Sequence, residues 1–195
     1  MNRPIRIPFL EMDIAFACDL KCHGCSHYSN YGLKGSVPFK VGEGWLRAWA
    51  QRLLPGTFSM LGGEPLLNPH LLDYLGLAQE LWPDTVRILI SNGLNAHLRP
   101  GLFERLAATG TRLDVSMHSY HDQAYLDRFN DALVEIEKAR QAFGFQMVLR
   151  TREYRFYKTY QGEGAGMRPF ADNDPVASWK ACLSSACCTI HQGKL

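Results

Sequence analysis

The stretch LEMDIAFACDLKCHGC, residues 10–25, changes character halfway along. Its first part alternates, with Leu10, Met12, Ile14 and Phe16 on one face and Glu11, Asp13 and Ala15 on the other, the two-residue period of a strand over residues 7 to 16. Its second part sets Cys18, Cys22 and Cys25 into a loop, half of the chain's six cysteines, separated by three residues and then by two. The loop lies directly beyond the strand's C-terminal end, and the rest of the chain is read outward from that junction.

After the loop, GEGWLRAWAQRLLPG places Trp45, Leu46, Trp49 and Leu53 on one helical face and stops at Pro55-Gly56. The strand, loop and helix unit then recurs. TFSMLGGEP reads as a buried strand ending in two glycines, and NPHLLDYLGLAQELW as a helix capped by Asn68 with Pro69 at its first position. DTVRILISNG is a strand rich in branched residues, and RPGLFERLAATG is a helix closed by Gly110. RLDVSMHS and HDQAYLDRFNDALVEIEKARQAFG form a fourth pair, the helix carrying Tyr125, Phe129, Leu133 and Ile136; FQMVLRT is a fifth strand.

Strand alternating with helix in this way implies parallel strands joined by right-handed crossovers, hence an α/β barrel or an open doubly wound sheet. In both, function gathers at the C-terminal strand ends. The polar and glycine-rich groups fall there each time: the cysteines after strand one, Gly62-Gly63-Glu64 after strand two, Ser91-Asn92-Gly93 after strand three, Ser116 and His118 at strand four, Arg150 at strand five.

A chain of 195 residues with 46% hydrophobic, 21% charged and 11% aromatic residues reads as one main globular domain. A formal charge of +2, spread along the sequence, offers no electrostatic footprint for nucleic acid, and no nucleic-acid partner is expected. Glu11 and Asp13 interrupt any signal peptide, and no segment approaches the roughly 20 apolar residues of a membrane span. A cytoplasmic location is expected, where thiols stay reduced and clustered cysteines point to metal binding or catalysis before disulfides.

Three sulfurs on one loop suit an iron–sulfur cluster or zinc. A structural zinc wants four protein ligands, and His23, His27 or a distant cysteine offers the fourth. A four-iron, four-sulfur cluster held by three cysteines leaves one iron open to a small molecule. The residues alone leave both readings standing.

Cys18-x3-Cys22-x2-Cys25 after a first strand, followed about 40 residues later by LGGEPLLNP and then by ISNGL and VSMHS, resembles the radical S-adenosylmethionine (radical SAM) superfamily over roughly residues 7 to 151. The resemblance implies a partial TIM-like (β/α)5–6 barrel over residues 1–151. It implies that Cys18, Cys22 and Cys25 hold three irons of a 4Fe-4S cluster, while the fourth binds the amino and carboxylate groups of S-adenosylmethionine. Gly62, Gly63 and Glu64 resemble the family's glycine-glycine-glutamate motif at the methionine amino group; two glycines permit close backbone approach and a carboxylate pairs with an ammonium. Ser91, Asn92, Ser116 and His118 stand where members line the cofactor's ribose and carboxylate or the substrate, and Arg150 is placed to pair with the cofactor carboxylate. Glu11 and Asp13 point into the barrel or face water near the strand start. One position departs from the pattern: the residue before the third cysteine is commonly aromatic and packs near the adenine, but is Gly24 here, leaving His23, His27 or Tyr28 for that contact.

From about residue 152 the pattern dissolves into a Gly-, Pro- and Asp-rich stretch with a strand at 153 to 160, and CCTIHQGKL reads as a strand and a tight turn. Cys182, Cys187 and Cys188 resemble the beginning of the cysteine-rich extension, of SPASM or twitch type, that carries an auxiliary iron–sulfur cluster, with Cys182 and Cys188 the preferred ligands. Residues 152–195 are expected to be a loop-rich extension that stops short of a natural domain end. The implied chemistry is one-electron cleavage of S-adenosylmethionine and hydrogen abstraction from a peptide or small molecule, with a flavodoxin- or ferredoxin-like electron donor. The alternatives are a non-catalytic iron–sulfur or zinc protein, and an activase that places a radical on a partner enzyme.

Overall fold

The structure, a computed structural model, describes residues 3–23, 25–151, 160–161, 166, 168–169, 176, 180 and 187–195. Gly24, Cys182 and residues 153–159 of the strand expected at 153 to 160 lie outside the described residues.

Alternation in the first strand sets the layering. In β1 (Ile5–Ala15) Leu10, Met12 and Ile14 are fully buried, and in the register with β2 (Leu53–Gly62) Leu10 faces Phe58 and Met12 faces Met60. The same face continues through Leu89 of β3 (Val86–Ser91), Leu113 of β4 (Arg112–Ser116) and Met147 of β5 (Met147–Arg150). Four helices, α1 (Phe39–Ala50), α2 (Leu71–Leu81), α3 (Leu102–Thr109) and α4 (Gln123–Phe143), contribute Leu46, Leu75, Leu106 and Ile136 to the same core. Each such side chain contributes roughly 1.5–3 kcal/mol when taken from water into this layer.

Residues 160–161 (β6) and 168–169 (β7) pair antiparallel with each other. The last described strand, β8 (Cys187–Ile190), runs parallel to β1 on its free edge, with Leu10 opposite Cys188 and Met12 opposite Ile190. The main sheet is therefore six parallel strands in the order β5-β4-β3-β2-β1-β8, an open partial barrel with helices on its convex side. Among the described residues no helix is long and apolar enough to cross a membrane.

Three local outcomes differ from the sequence-based expectation. Helix α1 begins at Phe39 and ends at Ala50, and the LLPG expected to close it opens β2 instead. Pro55 is accommodated because β2 overhangs β3 there, the β3 pairing starting only at Thr57. Asn68 does not cap α2 and Pro69 is not its first residue: the helix starts at Leu71 with His70 as its N-cap, and Asn68, which closes a 3-10 turn at Pro65–Leu67, accepts the His70 N–H on Oδ1 at 2.8 Å while its Nδ2 donates to Ile14 O at 2.7 Å. Asn68 thereby ties the start of α2 to the end of β1.

Arg87 has an unanticipated structural role. It lies on the helix-facing side of β3, 8% exposed, and its guanidinium donates to the carbonyls of Trp82, Pro83, Thr85 and Thr109 at 2.7 to 2.9 Å. One cation thus satisfies carbonyls left over at the ends of two helices, where positive charge is favoured. At the far edge, Gln192 and Gly193 both have positive φ in the turn after β8, and Trp49 Nε1 donates to Gly193 O at 3.0 Å, fastening that turn to α1.

Candidate active site

A cleft of about 660 Å³ opens at the C-terminal ends of the strands. Cys18, Cys22, Cys25 and His27 reach it from the loop after β1, Gly62 and Gly63 from the end of β2, Ser91 and Asn92 from β3, Ser116 and His118 from β4, and Arg150 from β5. Glu11 and Asp13 of β1 and Thr189 of β8 line its other side, so the acidic face of β1 does point into the barrel. Ser116 and Arg150 are register partners across β4 and β5, which puts the two side chains side by side on the concave face.

The two glycines are required by protein backbone. A Cβ on Gly62 would stand 2.2 Å from Ala15 O, and one on Gly63 would stand 2.2 Å from Ala17 O. Gly62 also has φ +127°, outside the range that other L-residues favour. The chain leaving β1 is pressed against this turn, with Gly63 N–H donating to Ala15 O and Glu64 N–H to Ala17 O, each at 2.8 Å.

Glu64 does not line the cleft; it lies behind the cleft wall, 1% exposed. Its Oε1 accepts from Leu66 N–H at 2.9 Å and from Ser91 Oγ at 2.8 Å, and its Oε2 accepts the Asn92 N–H at 2.8 Å. Burial pushes this carboxyl up to about 7 against the pull of those hydrogen bonds.

The cysteine loop is held at three places, each belonging to a different strand end. Asp19 accepts from the side-chain amides of Asn92 and Asn95, beyond β3. Cys22 Sγ lies 3.3 Å from His118 Nδ1, beyond β4, and the His118 N–H donates to the Tyr125 hydroxyl. His27, which hydrogen-bonds the Cys25 sulfur, has its Nε2 3.5 Å from Asp13 Oδ1 on β1. Burial pushes the Cys18 thiol up to about 12 and that of Cys22 to about 11. At Cys25 burial works the same way but is outweighed by hydrogen bonds from His27 and from the backbone at His27 and Ser29, leaving that thiol at about 7.

None of the five described cysteines is in a disulfide. Among the described residues no three of His, Cys, Asp and Glu converge on a point that would hold one metal ion. Three half-buried thiols from one loop lining one cleft fit an iron–sulfur cluster, since thiolates are the donors such clusters use. The second cysteine group is split by its strand. Cys187 lies on the concave side and its thiol, hydrogen-bonded to Glu11, is pushed up to about 12, first by burial and then by that carboxylate. Cys188 lies on the other face, packed against the core. Sequence reasoning did not single out Asp19 or Thr189; Asp19 carried a signal, a short acid between two cysteines, but its partners lie more than 70 residues on.

Residues 12–144 match the family model of the radical SAM superfamily, and the chain belongs to that superfamily. Its members use a 4Fe-4S cluster and S-adenosylmethionine (AdoMet). Among solved structures, BtrN in complex with AdoMet and 2-DOIA is 17% identical with a TM-score of 0.53, the match covering 79% of this chain and 61% of BtrN. Histidine-tagged anSMEcpe with bound AdoMet is 19% identical with a TM-score of 0.55, over 74% of this chain and 43% of anSMEcpe. Native anSMEcpe with bound AdoMet and Cp18Cys peptide is 19% identical with a TM-score of 0.53, over 73% of this chain and 42% of that one. At these identities the likeness is one of fold, and the chain spans less than two thirds of either relative. No curated protein sequence matches the chain.

Proposed function

We propose that this chain carries the catalytic core of a radical SAM enzyme acting on a peptide or small-molecule substrate. The observation that carries the reading is the meeting, in one cleft, of three thiols from a single loop with Ser91, Asn92, Ser116, His118 and Arg150 from three other strand ends. When bound, the 4Fe-4S cluster and S-adenosylmethionine supply a one-electron cleavage of the sulfonium and, from it, abstraction of a hydrogen atom from the substrate.

The chain's own residues divide the remaining work. Cys18, Cys22 and Cys25 would hold the cluster, leaving one iron for the cofactor's amino and carboxylate groups. Arg150 offers a guanidinium to that carboxylate, and Ser116 and His118 offer donors and acceptors to the ribose on the same wall. Gly62 and Gly63 present bare backbone at the methionine end, and Glu64 holds that edge from behind through Ser91 and Asn92. Glu11, Asp13 and Thr189, on the opposite side of the cleft, face the substrate. A flavodoxin- or ferredoxin-like protein supplies the electron, and the reduced thiols suit a cytoplasmic location.

The substrate classes draw support from the ligands named with the fold relatives, a small molecule with BtrN and a peptide with anSMEcpe. The test is anaerobic reconstitution with iron and sulfide, followed by S-adenosylmethionine and dithionite. Formation of 5′-deoxyadenosine and methionine is expected; stoichiometric zinc with no iron uptake overturns the proposal in favour of a structural metal site.

A further inference from the structure

Asp19 lies one residue beyond Cys18, inside the loop whose thiols line the cleft. Its two carboxylate oxygens are divided between two donors from one turn: Asn92 Nδ2 reaches Oδ1 at 2.7 Å and Asn95 Nδ2 reaches Oδ2 at 2.8 Å. Asn92 is itself fixed. It is 4% exposed, its N–H is held by Glu64 Oε2, and its own Oδ1 accepts the Leu94 N–H at 3.0 Å. A continuous path of hydrogen bonds therefore runs from Glu64, after β2, through Asn92, after β3, to Asp19 in the cysteine loop.

We propose that Asp19 is a positioning residue, a latch that fastens the cysteine loop to the turn after β3 and preforms it for its cluster. The inference rests on reading the three thiols as cluster ligands. A loop of this kind carries almost no regular backbone pairing of its own, since β1 ends at Ala15 and the next short turn begins at Ser29. Ordering it from a mobile state costs conformational entropy at every residue, and a latch made to a rigid strand end meets that cost before any iron is bound. Of the other two attachments, Cys22 to His118 acts through a sulfur, which must change partners when metal is taken up, and His27, which reaches Asp13 at 3.5 Å, also serves the Cys25 sulfur. The two amide hydrogen bonds to Asp19 use no sulfur, although its Oδ1 also lies 3.9 Å from Cys18 Sγ, so this hold persists when the sulfurs are engaged.

The latch is tested with Asp19→Ala, Asp19→Asn and Asn95→Ala in the full chain, by two readouts. The first is hydrogen exchange of the amides of residues 18–22 in the metal-free protein, with circular dichroism confirming an intact fold. The second is the rate at which the reconstituted protein gives up iron to bathophenanthroline. Charge-assisted hydrogen bonds of this kind imply exchange and iron loss about ten-fold faster in Asp19→Ala. Asp19→Asn keeps one acceptor oxygen and is expected to lie between it and wild type. Asn95→Ala, which changes no charge, is expected to accelerate both rates in the wild-type background and to add nothing in Asp19→Ala. Equal exchange in all proteins, or an Asn95→Ala effect as large with Asp19 removed as with it present, overturns the latch. If the wild type takes up no iron, the reading of the thiols fails, and exchange in the metal-free protein still decides whether Asp19 orders the loop.

Discussion

Asn92 donates its backbone N–H to Glu64 Oε2 at 2.8 Å, joining the turn after β3 to the turn after β2 inside the protein. With Ser91 Oγ and Leu66 N–H on Oε1, the carboxylate has three donors and no face toward the cleft. The glutamate of the Gly-Gly-Glu turn thus determines where two of the cleft's polar residues stand.

The buried carboxyl makes a pH-dependent contribution with a definite sign. Its value in the folded protein is about 7 against an ordinary 4.5, so the folded state holds the proton over that interval while the unfolded state has released it. The contribution of Glu64 to stability is full below about 4.5 and declines as pH rises to about 7, by roughly 3 kcal/mol. Urea denaturation of the metal-free protein across this range, compared with Glu64→Gln, measures it. The difference between the two proteins is expected to move against the wild type as pH rises; a constant difference contradicts it.

Gly62→Ala places a methyl 2.2 Å from Ala15 O at a backbone angle that alanine rarely adopts, with backbone on the opposing side that has little freedom to yield. A loss of about 3 kcal/mol or more is expected in thermal or urea unfolding. Gly44→Ala, in the helix α1 with open space at its Cβ, is expected to stabilise by up to about 1 kcal/mol. Similar effects at the two positions contradict this account of the turn.

Arg87→Met removes the group that satisfies four carbonyls, three in the turn after α2 and one at the end of α3. A loss of about 3 kcal/mol in urea unfolding is expected, with Arg87→Lys recovering part of it because an ammonium reaches some but not all of the four. A neutral Arg87→Met would mean that water replaces the guanidinium at these helix ends.

Much of this could be read from the chain because its strands alternate cleanly and its chemistry recurs at one end of each. Leu10, Met12 and Ile14 announce the face of β1 that is buried, and the Gly110 that closes α3 announces itself by composition and takes φ +60°. What stayed hidden depended on distance. Pro55 reads as a helix stop because nothing local shows that β3 starts too late to need its nitrogen. The partners of Asp19, and the Thr109 carbonyl that Arg87 reaches across 22 residues, are likewise brought together only by the sheet order.

Cys188 is packed against the core opposite Leu10, on the face turned from the cleft and from Cys187. Cys188→Ala is therefore expected to cost about 1 kcal/mol of stability and to leave iron content unchanged. Loss of iron in this variant, read by metal analysis, would instead assign the residue to an auxiliary cluster.

The central claim is that Cys18, Cys22 and Cys25 hold a cluster with one iron left open. Electron paramagnetic resonance of the reconstituted, dithionite-reduced protein, with and without S-adenosylmethionine, tests it most directly. The account predicts a 4Fe-4S signal whose g-values shift when the cofactor is added and which is lost in Cys25→Ala. A cluster signal indifferent to S-adenosylmethionine, or one that survives in Cys25→Ala, would contradict it.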